Sequence, residues 1–176
     1  MCVIIDTNVW ASLFDKANQD HPDFAPLLQW IIGEKGKGKI VYGGTKYLEE
    51  IPTKYLKILT LLVKVRKVVI APQAEVDNLA NEVAQKVEHR DFDDPHIIAI
   101  ILATQCCLIA TKEKRAIPYF KDKAKLFYPK NFTVPKIYSN KKHKKLLVDT
   151  NIAPCCQPTT AFTKEQANQY QKLIQP

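Results

Sequence analysis

Two patterns of apolar residues alternate along this chain. CVIID (2–6), KIVYGG (39–44), KVVIAP (67–72) and CLIAT (107–111) are short, uninterrupted apolar runs. They read as strands buried on both faces, because a strand covered on one face only would alternate with period two. Between these runs the apolar positions recur at steps of three and four, the helical spacing. Helices are therefore predicted over 9–14, 23–33, 45–65 with an interruption at Pro52, 74–87 and 93–105. In 74–87 the stripe is Val76, Leu79, Ala80, Val83 and Val87. DDPHIIAIILATQ (93–105) is apolar nearly all round, which predicts a central, buried helix. KRAIPYF supplies a short helix, and a final strand falls within either 124–128 or 134–138. Buried strands alternating with helices, and few hairpin dipeptides, predict an α/β fold around a mostly parallel sheet.

From about residue 149 the periodicity fades until KEQANQYQKLI, which allows one short helix. The expected organisation is a domain over 1–147 and a C-terminal tail over 148–176. That tail packs on its own domain, meets a partner or stays disordered. With 176 residues, 46% of them hydrophobic, the chain suits one globular domain with a real core. No stretch reaches the roughly 18 apolar residues of a membrane helix. MCVIID carries neither a basic n-region nor a small-residue cleavage site, so a cytoplasmic protein without membrane association is expected. The five cysteines agree with that compartment: their number is odd, and the vicinal pairs Cys106–Cys107 and Cys155–Cys156 do not form an ordinary disulfide framework. C-x-x-C spacing and histidine support for zinc are both missing. Cys106 and Cys107 read as small buried apolar residues.

Net charge is +8, and its placement says more than its size. Residues 112–145 hold twelve Lys/Arg against two acids, Glu113 and Asp122, so the rest of the chain is slightly acidic. Tyr119, Phe120, Phe127, Tyr128 and Phe132 interleave with these cations. A basic surface with aromatic faces suits a polyanion with stackable bases; a solvated lysine-rich surface is the ordinary alternative.

Ligands of an open parallel sheet bind beyond the carboxyl ends of its strands. Asp6 ends the first strand, Glu113 follows the fourth, and Asp94 precedes Pro95 at the start of the central helix. Glu49 and Glu50 lie on the helix that follows KIVYGG. Each acid has an ordinary explanation. Asp6 can make an Asx-turn, Asp94 can cap its helix, Glu50 can face solvent, and Glu113 can belong to the alternating charges of KEKR. Gathered at one edge, however, four carboxylates repel one another unless a cation lies between them. Oxygen ligands select hard ions, Mg²⁺ or Mn²⁺. The histidines His21, His89, His96 and His143 are scattered, and His96 reads as a packed or exposed helix residue. Gly43–Gly44 is too little for a phosphate loop. DTN recurs at Asp149–Asn151, but Pro154 prevents a following helix, and Asp149 stays outside the candidate site.

In VIIDTNVW (3–10), VYGGTKYLEEI (41–51), DDPHIIAIILA (93–103) and LIATKEKRAI (108–117), the chain resembles the PIN-domain ribonucleases, the fold of many bacterial toxins of toxin–antitoxin pairs. The resemblance spans residues 1 to about 147. It implies a three-layer α/β/α sandwich, acids binding one or two Mg²⁺ or Mn²⁺ ions, and cleavage of RNA. It also implies a small antitoxin partner and a homodimer. Carried over, Asp6, Glu50, Asp94 and Glu113 are the implied catalytic metal ligands. Glu50 is preferred to Glu49 because an apolar residue follows it, and Asp94 is preferred to Asp93. The family's Thr-x-Asp appears here as Thr111–Lys112–Glu113, with glutamate in place of aspartate. Thr7, Asn8 and Thr111 are placed to hydrogen-bond the ligating carboxylates. Lys112, Lys114, Arg115, Lys141, Lys142, Lys144 and Lys145 are the expected nucleic-acid contacts. A nucleic-acid-binding module with weakened catalysis is the alternative.

Overall fold

The computed structural model describes residues 2–87, 92–148, 151 and 153–173. His89, Asp149 and Thr150 lie outside the described residues. Five strands, β1 (Cys2–Ile5), β2 (Lys39–Tyr42), β3 (Val68–Ile70), β4 (Leu108–Ala110) and β5 (Lys136–Tyr138), form one all-parallel sheet in the order β3-β2-β1-β4-β5. The fifth strand thus falls in the second of the two windows the sequence left open, and 124–127 is helical instead. Helices flank the sheet: α1 (Trp10–Phe14), α2 (His21–Ile32), α3 (Thr45–Glu50), α4 (Thr53–Lys64), α5 (Gln73–Gln85), α6 (Pro95–Thr104), α7 (Ile117–Phe120), α8 (Ala124–Phe127) and α9 (Lys164–Leu173). This is an α/β fold compatible with a three-layer sandwich.

The central strands are wholly apolar because both faces are covered: every residue of β1 and β4 is buried. Ile97 to Ile101 on α6 are likewise shut from solvent, as expected of a helix apolar all round. Pro52 divides the 45–65 segment. Ile51 before it is extended at ψ 122°, as a pre-proline residue prefers, and α4 starts afresh at Thr53. Gly44, at φ +81°, turns β2 into α3, and a Cβ there would come within 2.7 Å of the Val76 side chain.

Chain order 1-2-3 runs outward on one side of β1 and 4-5 on the other, so the strand order reverses between β1 and β4. Their register pairs Ile4 with Ile109 and Ile5 with Ala110, which sets Asp6 beside Thr111. The Asp6 amide donates to the Ala110 carbonyl at 2.9 Å. A helix leading into a parallel strand runs back against it, so α6 begins at the carboxyl edge of the sheet.

The C-terminal segment packs on its own domain. Cys156 is disulfide-bonded to Cys2 at the start of β1, and Phe162 is buried and bridges to Glu34. The bridge corrects the reading of the cysteines as a set without a disulfide, and it removes the cysteine argument for a reducing compartment. Cys106 is buried as expected, whereas Cys107 is half-buried. Among the described residues, no helix is long and apolar enough to cross a membrane.

Candidate metal centre

The carboxyl edge carries a cleft of about 400 Å³ lined by Asp6, Thr7, Asn8, Lys46, Glu50, Asp93, Asp94 and Glu113. All four acids carried over from the resemblance therefore line one cleft. Glu49 is exposed and does not, which follows from the roughly 100° turn between successive helix residues.

Asp6 is 2% exposed. Its carboxylate accepts from the Asn8 amide at 3.3 Å, Asn8 Nδ2 at 2.8 Å and Thr111 Oγ1 at 2.5 Å. The Asx-turn expected of a lone aspartate is present, capping a 3-10 turn over Thr7–Val9. Desolvation nonetheless raises the Asp6 pKa above the usual carboxylate value, against those hydrogen bonds and with Glu50 adding to it. Thr111 Oγ1 also accepts from the Glu113 amide at 2.9 Å, so one hydroxyl ties the two strand ends together.

Glu50 is held from three directions. Thr7 Oγ1 donates to Oε2 at 3.2 Å, Lys46 Nζ lies 3.3 Å from Oε1, and His96 Nε2 lies 3.5 Å from Oε2. Its helix is itself pinned. The Tyr47 hydroxyl donates to the Ile5 carbonyl at the end of β1, and Asp77 accepts from the Thr45 amide and hydroxyl, each at 2.7 Å.

Asp94 occupies the N-cap position of α6, yet its side chain makes no capping hydrogen bond. The ordinary explanation for this residue is thereby absent. Its pKa is pushed up to about 7, first by burial and then by the charges of Asp6, Asp93, Glu50 and Glu113. Glu113 stands at the rim, where Arg115 Nε donates to Oε1 at 2.9 Å and lowers its pKa. The charge-pair explanation holds for this glutamate, although it lines the cleft as well.

His96, which the sequence suggested was a packed or exposed helix residue, lies among the acids of the cleft. Ligand atoms of Glu50, Asp94 and His96 all lie within 4.8 Å of one another. The ring is 2% exposed, and burial lowers its pKa despite the opposing charge of Glu50. Its position two residues after Asp94, in the first turn of a helix starting at this edge, was the available signal. Lys46 and Asp93 line the cleft too. The donor set fits a divalent cation: Asp6 and Asp94, whose pKa values burial and neighbouring acids raise, one of them free of any capping role, with Glu50 and an imidazole beside them.

The basic segment is placed less simply than its composition suggested. Lys112 is turned away from Glu113, with Nζ 2.9 Å from both Asp20 Oδ2 and Ser12 Oγ, while its backbone amide donates to Asn8 Oδ1. Arg115 is occupied by Glu113, and Lys114 is exposed. Lys141, Lys142, Lys144 and Lys145 are exposed on a 3-10 helix, Lys141–Leu146, that follows β5. The aromatics do not form the expected stacking surface: Tyr119, Phe120, Phe127 and Tyr128 are buried. Only Phe132 of that set is half-buried, and it stacks on Tyr128 at 4.9 Å. In this segment the apolar interruptions were core positions.

Fold and site together define an α/β protein with an acidic cleft at the strand-order reversal of a parallel sheet. Comparison with family models, curated proteins and solved structures found no match to the chain.

Proposed function

We propose that this protein is a metal-dependent endoribonuclease of the PIN type that hydrolyses RNA phosphodiester bonds. The observation that carries the reading is Asp94, a half-buried, uncapping carboxylate whose pKa is raised to about 7 among four other acids. Stability alone gives no reason to collect such groups, whereas a cation reverses the sign of their interaction.

In this reading Asp6, Glu50 and Asp94 hold Mg²⁺ or Mn²⁺, and Asn8, Thr7 and Thr111 orient the carboxylates through the hydrogen bonds described above. The ion, when bound, lowers the pKa of a coordinated water and polarises the phosphate. Glu113, at the rim, completes the acid set on releasing Arg115. Lys114 and the lysines of 141–145 attract the RNA backbone. Lys112 instead braces the loop at Asp20.

The test is cleavage of pooled RNA in Mg²⁺ or Mn²⁺, with the wild type and Asp6→Asn prepared in parallel. Cleavage lost in the variant and in EDTA supports the reading; equal cleavage by both proteins refutes it. The engagement of Glu113 by Arg115 favours a second reading, a nucleic-acid-binding module with weakened catalysis. RNA bound but uncut by the metal-loaded wild type selects that one. A toxin role adds a small antitoxin and a homodimer as partners; growth arrest on expression, relieved by the product of an adjacent short reading frame, tests it.

A further inference from the structure

We propose that His96 supplies a nitrogen ligand to the metal, making the site a mixed nitrogen–oxygen one that favours Mn²⁺ over Mg²⁺. This rests on the metal reading above and specifies the ion.

His96 is the second residue of α6, directly beside Asp94 at its N-terminus. Its Nε2 is 3.5 Å from Glu50 Oε2, and ligand atoms of Glu50, Asp94 and His96 lie within 4.8 Å of one another. Two ligands each about 2.1 Å from one ion stand about 3–4 Å apart, so His96 Nε2 and Glu50 Oε2, at 3.5 Å, already span one ion, and the 4.8 Å bound asks Asp94 for a shift on the order of 1 Å. The protonation of the ring points the same way. His96 Nδ1 is buried and has no hydrogen-bond partner among the described residues. A single proton on Nδ1 has no acceptor there and leaves the Nε2 lone pair facing a carboxylate. A single proton on Nε2 makes only a long contact to Glu50 and orphans Nδ1 instead. A cation between Nε2 and the Glu50 carboxylate relieves the repulsion of the first arrangement. Packing does not explain the residue: the other buried places of the helix hold isoleucine, alanine and Thr104, whose hydroxyl donates to the Ile100 carbonyl, whereas His96 leaves a buried nitrogen unsatisfied that an apolar side chain would not have carried.

Donor chemistry then decides which ion. Mg²⁺ requires near-octahedral oxygen ligation and gives up water reluctantly. An imidazole donor shifts affinity toward Mn²⁺ and the later divalent ions.

The experiment is pulsed electron paramagnetic resonance on the Mn²⁺-loaded full chain, with Mn²⁺ and Mg²⁺ affinities measured by calorimetry for the wild type and His96→Gln. The expected result is a coupling from a directly bound ¹⁴N in the wild type. His96→Gln is expected to lose that coupling and to weaken Mn²⁺ binding about 10–100-fold, the scale of losing a metal-site contact, while Mg²⁺ affinity falls less. Bound Mn²⁺ without nitrogen coupling overturns the role of His96 and leaves the metal reading standing. An unchanged Mn²⁺-to-Mg²⁺ affinity ratio in His96→Gln does the same. Failure of the wild type to bind Mn²⁺ at all overturns both. The wild-type spectrum decides the question even if the variant folds poorly.

Discussion

The two ends of the sheet bury opposite charges and treat them differently. At the amino edge Lys67 is fully buried, and its ammonium donates to the Gly36 and Thr160 carbonyls at 2.6 and 2.8 Å, with the Phe162 ring at 4.6 Å. Lys39 beside it donates to the Pro158 carbonyl at 2.8 Å. The cations are thus anchors for the C-terminal segment, which the Cys2–Cys156 bridge ties down covalently. At the carboxyl edge Asp6 and Glu50 have protein partners, but Asp94 beside them lacks such closure. Asp94 caps nothing, and its neighbours push its pKa up. A buried charge met by protein dipoles serves the fold, whereas a buried charge left to repel its neighbours is suited to an ion from solution.

The largest effect expected from breaking this contrast lies at the acidic end. Asp6→Asn should cut RNA cleavage by more than about 100-fold, since a ligand costs at least as much as the groups that orient it. Its thermal stability should lose any response to Mn²⁺; in the wild type, Mn²⁺ at about 100 times its Kd adds about 2.7 kcal/mol.

At the basic end, Cys156→Ser should lower unfolding free energy by about 2–5 kcal/mol in urea, because the bridge closes a loop across 154 residues. Cleavage by the folded variant should be unchanged, since the bridge lies at the opposite edge. A loss of cleavage would couple the two ends.

The pH dependence distinguishes the ends by sign. The Asp94 pKa is raised from 3.8 to about 7, so in EDTA the folded state binds more protons than the unfolded state across that window. Stability is then greatest below about pH 4 as far as this group is concerned, and roughly 2–4 kcal/mol is lost as pH rises to about 7. Asp94→Asn should remove this share of the decline and leave only that of Asp6, whose pKa is raised as well. The Lys67 pKa is lowered from 10.5 to about 8 by burial and by Lys39, so the unfolded state binds the extra proton there and stability rises with pH across that window. Lys67→Met should remove the rise and cost about 1–3 kcal/mol through the two carbonyls left without their donor.

The smallest effect should come from Glu113→Ala. Its pair with Arg115 is partly exposed, so stability should move by less than about 1 kcal/mol. Cleavage reduced by more than about tenfold would place Glu113 among the ligands, the range lost with a metal-site contact; a smaller change would leave it a rim residue.

Much of the architecture was legible in the chain because its signals are local. Wholly apolar four-residue runs identify strands covered on both faces, and steps of three and four identify the helices between them. Pro52 and Pro95 mark where helices stop and start. Asp6, Asp94, Glu113 and the pair Glu49–Glu50 stood out because residues just past a strand, or on a helix that follows or leads into one, lie toward the carboxyl edge of a parallel sheet; the choice of Glu50 over Glu49 came from the family resemblance. His96 was missed because a lone histidine carries no spacing signal; only the packing of α6 against α3 brings its ring to Glu50. The aromatics of 119–128 were misread because composition does not say which face a side chain occupies.

What the sequence determined alone is therefore the element order, the parallel α/β class and the edge on which acids collect, since each depends on near neighbours in the chain. Tertiary structure alone decided that Cys156 meets Cys2, that Lys39 and Lys67 anchor the C-terminal segment, that Lys112 turns to Asp20, and that Asp94 is spared from capping its helix. These are contacts between residues far apart in the chain, or a choice between a cap and a free carboxylate that only the surrounding packing makes. Both depend on where whole elements come to rest, which no local pattern records.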